Sequence, residues 1–159
     1  MSLLERISKN IQLRSWEGEF PVQYLYTFGV AGERFFRQIK ENAKILGARC
    51  PQCQITFVPP SLYCERCFER TEDWVEVGHK GEVYTFTVCY RGMDGLPKNP
   101  PSVLALVKML GAEGGFVHRI GEIDPQEIKI GMKVEAVFKP QAQRKGSILD
   151  IQYFRPAEK

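Results

Sequence analysis

The sequence predicts an α+β fold, mainly β, in three successive parts: helices, a four-cysteine ribbon and a five-stranded OB-fold barrel. Three observations carry that prediction. Two Cys-x-x-Cys pairs stand ten residues apart, an apolar stripe at helical spacing precedes them, and five short β-rich runs separated by turn residues follow. The boundaries fall at 1–47 for the helices, 48–77 for the ribbon and 78–159 for the barrel.

Within the first part, Leu3, Leu4, Ile7 and Ile11 recur at helical spacing, with Glu5, Arg6 and Lys9 on the wet side; Gly18 and Pro21 end this helix. Phe28, Phe35, Phe36, Ile39 and Ala43 mark a second helix over roughly 30–44, stopping before Gly47. Their apolar stripes either pack on the next module or lie on a partner protein. In the barrel, 82–90 and 102–110 are rich in aromatic and β-branched residues, as half-buried strands are. A glycine-rich turn at 111–115 leads into a third strand, 116–120. Asp124-Pro125-Gln126-Glu127 supplies an N-cap, a proline at the first helical position and an early acid, so one helical turn is expected there. Strands at 133–139 and 147–154, joined by the polar turn 141–146, complete a partly open five-stranded barrel.

Composition narrows the class. A hydrophobic fraction of 43% and a charged fraction of 26% are ordinary for a folded domain. No apolar run approaches the roughly 20 residues that span a bilayer, and the opening MSLLERISKN has charges where a signal peptide carries its apolar segment. A cytoplasmic location without a membrane partner is therefore expected. The net charge of +3 is spread thinly: residues 1–49 hold eight Lys/Arg against five Asp/Glu, 50–75 two against four, and 76–159 twelve against ten. A phosphate-backbone binder concentrates its cations, so nucleic acid is disfavoured as a partner.

The sharpest chemical signal is Cys50-Pro51-Gln52-Cys53 followed by Cys64-Glu65-Arg66-Cys67. Two such knuckles bring four thiolates to one tetrahedral point, the arrangement of structural zinc with no open coordination position. Catalysis by that metal is not expected. Iron in a rubredoxin-type site is the rival, but rubredoxin knuckles continue with glycine where this chain has Gln54 and Phe68. Cys89, inside a strand, reads as a small buried hydrophobe, and His79 and His118 lack any neighbouring nucleophile signature. G-x-S-x-G, P-loop, HExxH and dinucleotide motifs are missing from the sequence, which disfavours an enzyme acting alone and leaves no candidate catalytic residue.

The run Tyr26-Thr27-Phe28-Gly29-Val30-Ala31-Gly32-Glu33-Arg34-Phe35-Phe36, the first knuckle, and Pro59-Pro60-Ser61-Leu62-Tyr63 ahead of the second resemble a family of archaeal and bacterial proteins, once a domain of unknown function. In that family a helical hairpin precedes a rubredoxin-like zinc ribbon and a C-terminal acyl-CoA-associated OB fold. Gly81-Glu82-Val83, Gly131-Met132-Lys133-Val134 and Phe154-Arg155-Pro156 extend the match, so it covers the chain from about residue 20. Gln54 and Phe68 depart from it, since the family often keeps glycine there. The resemblance implies a non-catalytic subunit that scaffolds a thiolase or hydroxymethylglutaryl-CoA synthase type enzyme and helps hold acyl-CoA. CoA brings phosphates, an adenine and a long pantetheine arm. Tyr90, Arg91, Lys98, Lys108, His118 and Arg119 are the barrel residues suited to meet them. The alternative is an OB-fold and zinc-ribbon protein that binds nucleic acid, and an electron carrier is the third reading.

Overall fold

The computed structural model describes residues 23–92 and 94–157. The expected first helix, through Leu3, Leu4, Ile7 and Ile11, lies outside the described residues. The second is α1, Gly29–Asn42. The Thr27 hydroxyl accepts the Gly29 N–H at 3.2 Å at its start, and at its end Ala43 turns left-handed at φ 53°. That reversal stops the helix two residues earlier than the apolar stripe suggests. Of that stripe Phe35 and Ile39 are buried, joined by Ala31, whereas Phe28 stands before the helix and is exposed; the Phe35 ring lies 5.8 Å from Phe116 of the barrel.

Three short strands build the ribbon: β1 (Leu46–Arg49), β2 (Thr56–Val58) and β3 (Asp73–Glu76). Both β2 and β3 pair antiparallel with β1. Five strands build the barrel: β4 (Lys80–Arg91), β5 (Pro97–Met109), β6 (Glu113–Ile120), β7 (Lys133–Phe138) and β8 (Ile151–Pro156). The sheet runs β3-β1-β2-β6-β5-β4-β7-β8, and β8 returns to β6 at Ile120↔Phe154 to close the barrel. Ribbon and barrel are thus one sheet, joined where β2 meets β6 in parallel, Phe57↔Glu113 and Val58↔Gly114.

That junction explains Gly114. At φ 88° it brings its Cα against β2, and a Cβ would stand 2.1 Å from the Val58 carbonyl oxygen. The glycines expected to form only a turn are therefore partly strand, and β6 begins three residues early. Asp124–Glu127 is a single hydrogen-bonded turn, with the Asp124 carboxylate accepting the Gln126 N–H at 2.9 Å and the Asp124 carbonyl accepting the Glu127 N–H at 2.9 Å. The chain turns at Gly131, φ 85°, straight into β7, so no helix develops.

The expected last strand starts later than its apolar run. Ser147 instead caps a 3-10 turn, Ile148–Asp150: its hydroxyl accepts the Leu149 N–H at 3.2 Å. Asp150 accepts N–H groups from Lys145, Gly146 and Ser147 at 2.7–3.1 Å. One apolar core runs through α1 (Phe35, Ile39), β2 (Val58) and the barrel (Val83, Val107, Val134, Ile151, Phe154). The second cluster is little more than Cys50, Phe57 and Cys64. Among the described residues no helix is long and apolar enough to cross a membrane.

Candidate functional site

The two knuckles are near copies of each other. In the first, the Cys50 carbonyl accepts the Gln54 N–H at 2.9 Å; in the second, the Cys64 carbonyl accepts the Phe68 N–H at 3.0 Å. Backbone N–H groups also point at sulfur, Cys53 to Cys50 Sγ at 3.3 Å and Arg66 to Cys64 Sγ at 3.4 Å. Gln54 and Phe68 take the left-handed conformation, φ 59° and 60°, which glycine adopts at no steric cost. The missing glycines have therefore left the turn geometry intact.

All four sulfurs lie within 4.8 Å of one another, with Cys50 to Cys67 at 3.5 Å and Cys53 to Cys64 at 3.9 Å. Tetrahedral zinc with bonds of about 2.3 Å requires sulfur separations of about 3.8 Å, so the donor set fits the ion. Without a cation the sulfurs compete for protons. Hydrogen bonding to Cys67, then burial, pushes the Cys53 thiol up to about 12. Burial also acts to raise Cys64, but N–H groups of Cys67 and Arg66 outweigh it and bring that thiol to about 7. A bound divalent cation removes the conflict, because it holds all four as thiolates. Cys50 and Cys64 are buried and Cys53 and Cys67 half-buried, and as four thiolates they would complete the tetrahedral shell of a zinc ion. Such a centre organises the ribbon and offers a substrate no place.

The six residues proposed from sequence for a CoA ligand do not converge. Tyr90, Arg91 and Lys98 sit at the outer end of the long β4–β5 hairpin, where Arg91 pairs with Pro97. Lys108 is ten residues further along β5, about 33 Å at strand spacing. Alternation decides the rest. Val103, Ala105 and Val107 point into the barrel, so Leu104, Leu106 and Lys108 lie on its outer face. Across β6, His118 is buried while Val117 and Arg119 face outward. Lys108 and Arg119 therefore share the outer face, and His118 lies beneath it, pointing inward.

Two adjoining depressions mark that face. One, of about 360 Å³, lies at the ribbon junction between Pro59, Glu65, Leu106, Lys108 and Gly115. Lys108 Nζ sits 3.9 Å over the Tyr84 ring at its margin, and Arg66 holds Glu113 at 2.7 Å across the junction. The other, of about 440 Å³, lies at the barrel's closing seam and contains His118, Arg119 and Lys139. They meet where Leu106 faces Val117. Lys139, Leu104, Val117 and Leu149 were not singled out from sequence. Only strand alternation around a closed barrel places them together, and no local motif signals it.

This order of a four-thiolate ribbon running in one sheet into an OB barrel matches known proteins. Residues 38–73 match the rubredoxin-like zinc ribbon domain of ChsH2, and residues 74–139 match the ChsH2 C-terminal OB-fold domain. A DUF35 domain-containing scaffold protein of Methanocaldococcus jannaschii is 33% identical over 108 residues, 67% of this chain and 75% of that protein. The chain belongs to the DUF35 family. A DUF35 scaffold protein of Pyrococcus furiosus is 31% identical over 126 residues, covering 77% of this chain and 90% of its own length. Among solved structures, a DUF35 protein of unknown function from Sulfolobus solfataricus superposes with a TM-score of 0.61 at 33% identity, over 69% of this chain and 78% of that one. A chain of an Ltp2-ChsH2(DUF35) aldolase superposes with a TM-score of 0.55 at 27% identity, over 77% and 91%. The DUF35 assignment agrees with the resemblance read from the knuckles and the strand order.

Proposed function

We propose that this DUF35 chain is a non-catalytic subunit that scaffolds a thiolase or hydroxymethylglutaryl-CoA synthase type enzyme and contributes part of an acyl-CoA site. The observation that carries this is the outer barrel face: a shallow apolar trough between Lys108 at one end and Arg119 with Lys139 at the other. Separated cations suit the phosphates of CoA, and the leucine and valine surface between them suits a pantetheine arm. Being open, such a trough buries only part of a ligand, so an enzyme seated over it completes the site. Tyr90, Arg91 and Lys98 lie beyond the trough, on the hairpin that a seated partner meets.

Relatives named as scaffold proteins, and a neighbour that is part of an aldolase with Ltp2, support a partner-binding role. So does the approach to α1, where Tyr24, Leu25, Tyr26, Phe28 and Val30 are all exposed, a grouping that marks protein contact surfaces. The zinc centre, with no open ligand position, supplies architecture rather than chemistry. The test is purification of the full chain from its native cell, followed by calorimetry with acyl-CoA. A thiolase-type enzyme is expected in stoichiometric amount, and acyl-CoA affinity is expected to rise in its presence. Recovery of the chain alone, with tight salt-dependent oligonucleotide binding and no acyl-CoA response, overturns the proposal in favour of nucleic-acid binding.

A further inference from the structure

Strand β4 outruns its neighbour β7. The two pair only at Lys80–Glu82, and Val83 makes the last bonds on that side: its N–H donates to the Met132 carbonyl at 2.9 Å, and its carbonyl accepts the Gly131 N–H at 2.8 Å. From Thr85 to Arg91 the one strand beside β4 is β5. Alternate residues of an antiparallel pair turn their N–H and C=O groups away from the neighbour. This stretch therefore presents a row of backbone donors and acceptors that no other backbone group among the described residues meets.

The other side of the same hairpin is closed to pairing. Strand β6 leaves β5 at Val103, and the β5 edge beyond it carries Pro97, Pro100 and Pro101. Proline has no N–H and blunts an edge. On β4 the run Thr85-Phe86-Thr87-Val88-Cys89-Tyr90 has no proline, no glycine and no charge, and all but Cys89 are β-branched or aromatic. Thr85, Thr87 and Tyr90 are exposed, while Phe86 and Val88 lean on the barrel core.

The side chains also show which strand fits. Laid antiparallel on a copy of itself about Val88, the stretch sets Val88 against Val88, Phe86 against Tyr90 and Thr87 against Cys89. Aromatic and β-branched pairs of this kind stabilise neighbouring strands. The charge at its end, Arg91, falls opposite Thr85 rather than another cation, and its guanidinium already donates to the Gly95 carbonyl at 2.9 Å.

We propose that two copies of this chain pair through the free edge of β4, residues 85–91, antiparallel about a two-fold axis at Val88, so that two barrels share one sheet. The axis closes the contact on itself, so pairing stops at two. It leaves the outer barrel face open and does not rest on the acyl-CoA reading. So short a contact buries less than a standard interface, and a dissociation constant of about 10–100 µM is expected.

The experiment is sedimentation of the zinc-loaded full chain from about 1 µM to about 1 mM, a range that spans this weak association, with amide hydrogen exchange followed at both ends. A monomer is expected to become a dimer. Amides within 85–90 are expected to gain protection as it does, while those of Lys98 and Asn99, on the proline-bearing edge, do not. Replacing both exposed threonines, Thr85→Lys with Thr87→Lys, is expected to weaken the dimer at least about tenfold with melting nearly unchanged. Leu25→Ser, on the approach to α1, is expected to leave it as it is. Should the double variant fail to fold, the exchange comparison on the unaltered chain still decides. A monomer throughout, or a dimer whose 85–90 amides stay open, overturns the inference. So does dissociation by Leu25→Ser and not by the lysines. Protection of 85–90 that appears only when a thiolase-type enzyme is added also overturns it, and gives the edge to that enzyme.

Discussion

Asp150 shows how much one side chain organises. Burial alone raises a carboxyl pKa, yet the N–H groups of Lys145, Ser147 and Gly146 reverse that and hold Asp150 below the usual carboxylate value. A carboxyl lowered by folding stabilises the native state above its unfolded pKa of about 3.9, and that contribution disappears as pH falls through the lower folded value. Asp150→Asn is therefore expected to cost about 2–3 kcal/mol at pH 7 and to flatten the loss of stability on the acid side of about pH 4, both read from urea melts across pH. An unchanged acid limb would sink this account. The sequence contained the signal, Ser147 with an acid three residues on, but Ile148, Leu149 and Ile151 around it read as strand and concealed it. The zinc ligands were legible because spacing alone specifies them. The left-handed turns at Gln54 and Phe68 were not, because only glycine announces that conformation.

Strands came out of the sequence within a few residues at most ends, since alternation and β-branched runs are local properties. Pairing between distant strands is not local. The three residues of β2 seek a partner on β6 more than fifty positions away, and the only trace of it is Gly114, which also reads as a turn residue. Gly114→Ala is expected to destabilise the chain by about 2–5 kcal/mol, combining a left-handed alanine with overlap on the Val58 carbonyl. Gly111→Ala makes the control. It is also left-handed, φ 77°, but faces open space, so only the conformational part, about 1–2 kcal/mol, should appear. Equal losses in thermal melts of the two variants would show that the β2–β6 approach is slack. The candidate ligand residues failed to converge for a related reason. A thirteen-residue β5 carries Lys98 and Lys108 at opposite ends, and a one-residue step along β6 puts His118 beneath the sheet and Arg119 above it.

At the scale of the molecule, the ribbon's own apolar cluster is built around its cysteines, too little to hold three short strands without the metal. The barrel and α1 share a far larger core. Metal analysis is expected to give one zinc per chain. Its removal by chelator, or Cys64→Ser, is expected to lower the melting temperature and to expose the amides of 46–76 to hydrogen exchange, while the amides of β4, β5 and β7 stay protected. Unchanged melting after verified zinc loss would mean that the ribbon stands on packing alone.

The open end of the sheet also bears on how the chain behaves at high concentration. Strand β3 is the terminal strand on the ribbon side, and an unpaired edge is a template onto which other strands can add. It is only four residues long and begins and ends with carboxylates, Asp73 and Glu76, so a second copy laid against it antiparallel would bring acid against acid. Lys44 holds Glu76 at 2.8 Å, and the Arg34 guanidinium covers the Trp74 ring at 5.0 Å. The exposed rim thus resists growth into larger aggregates.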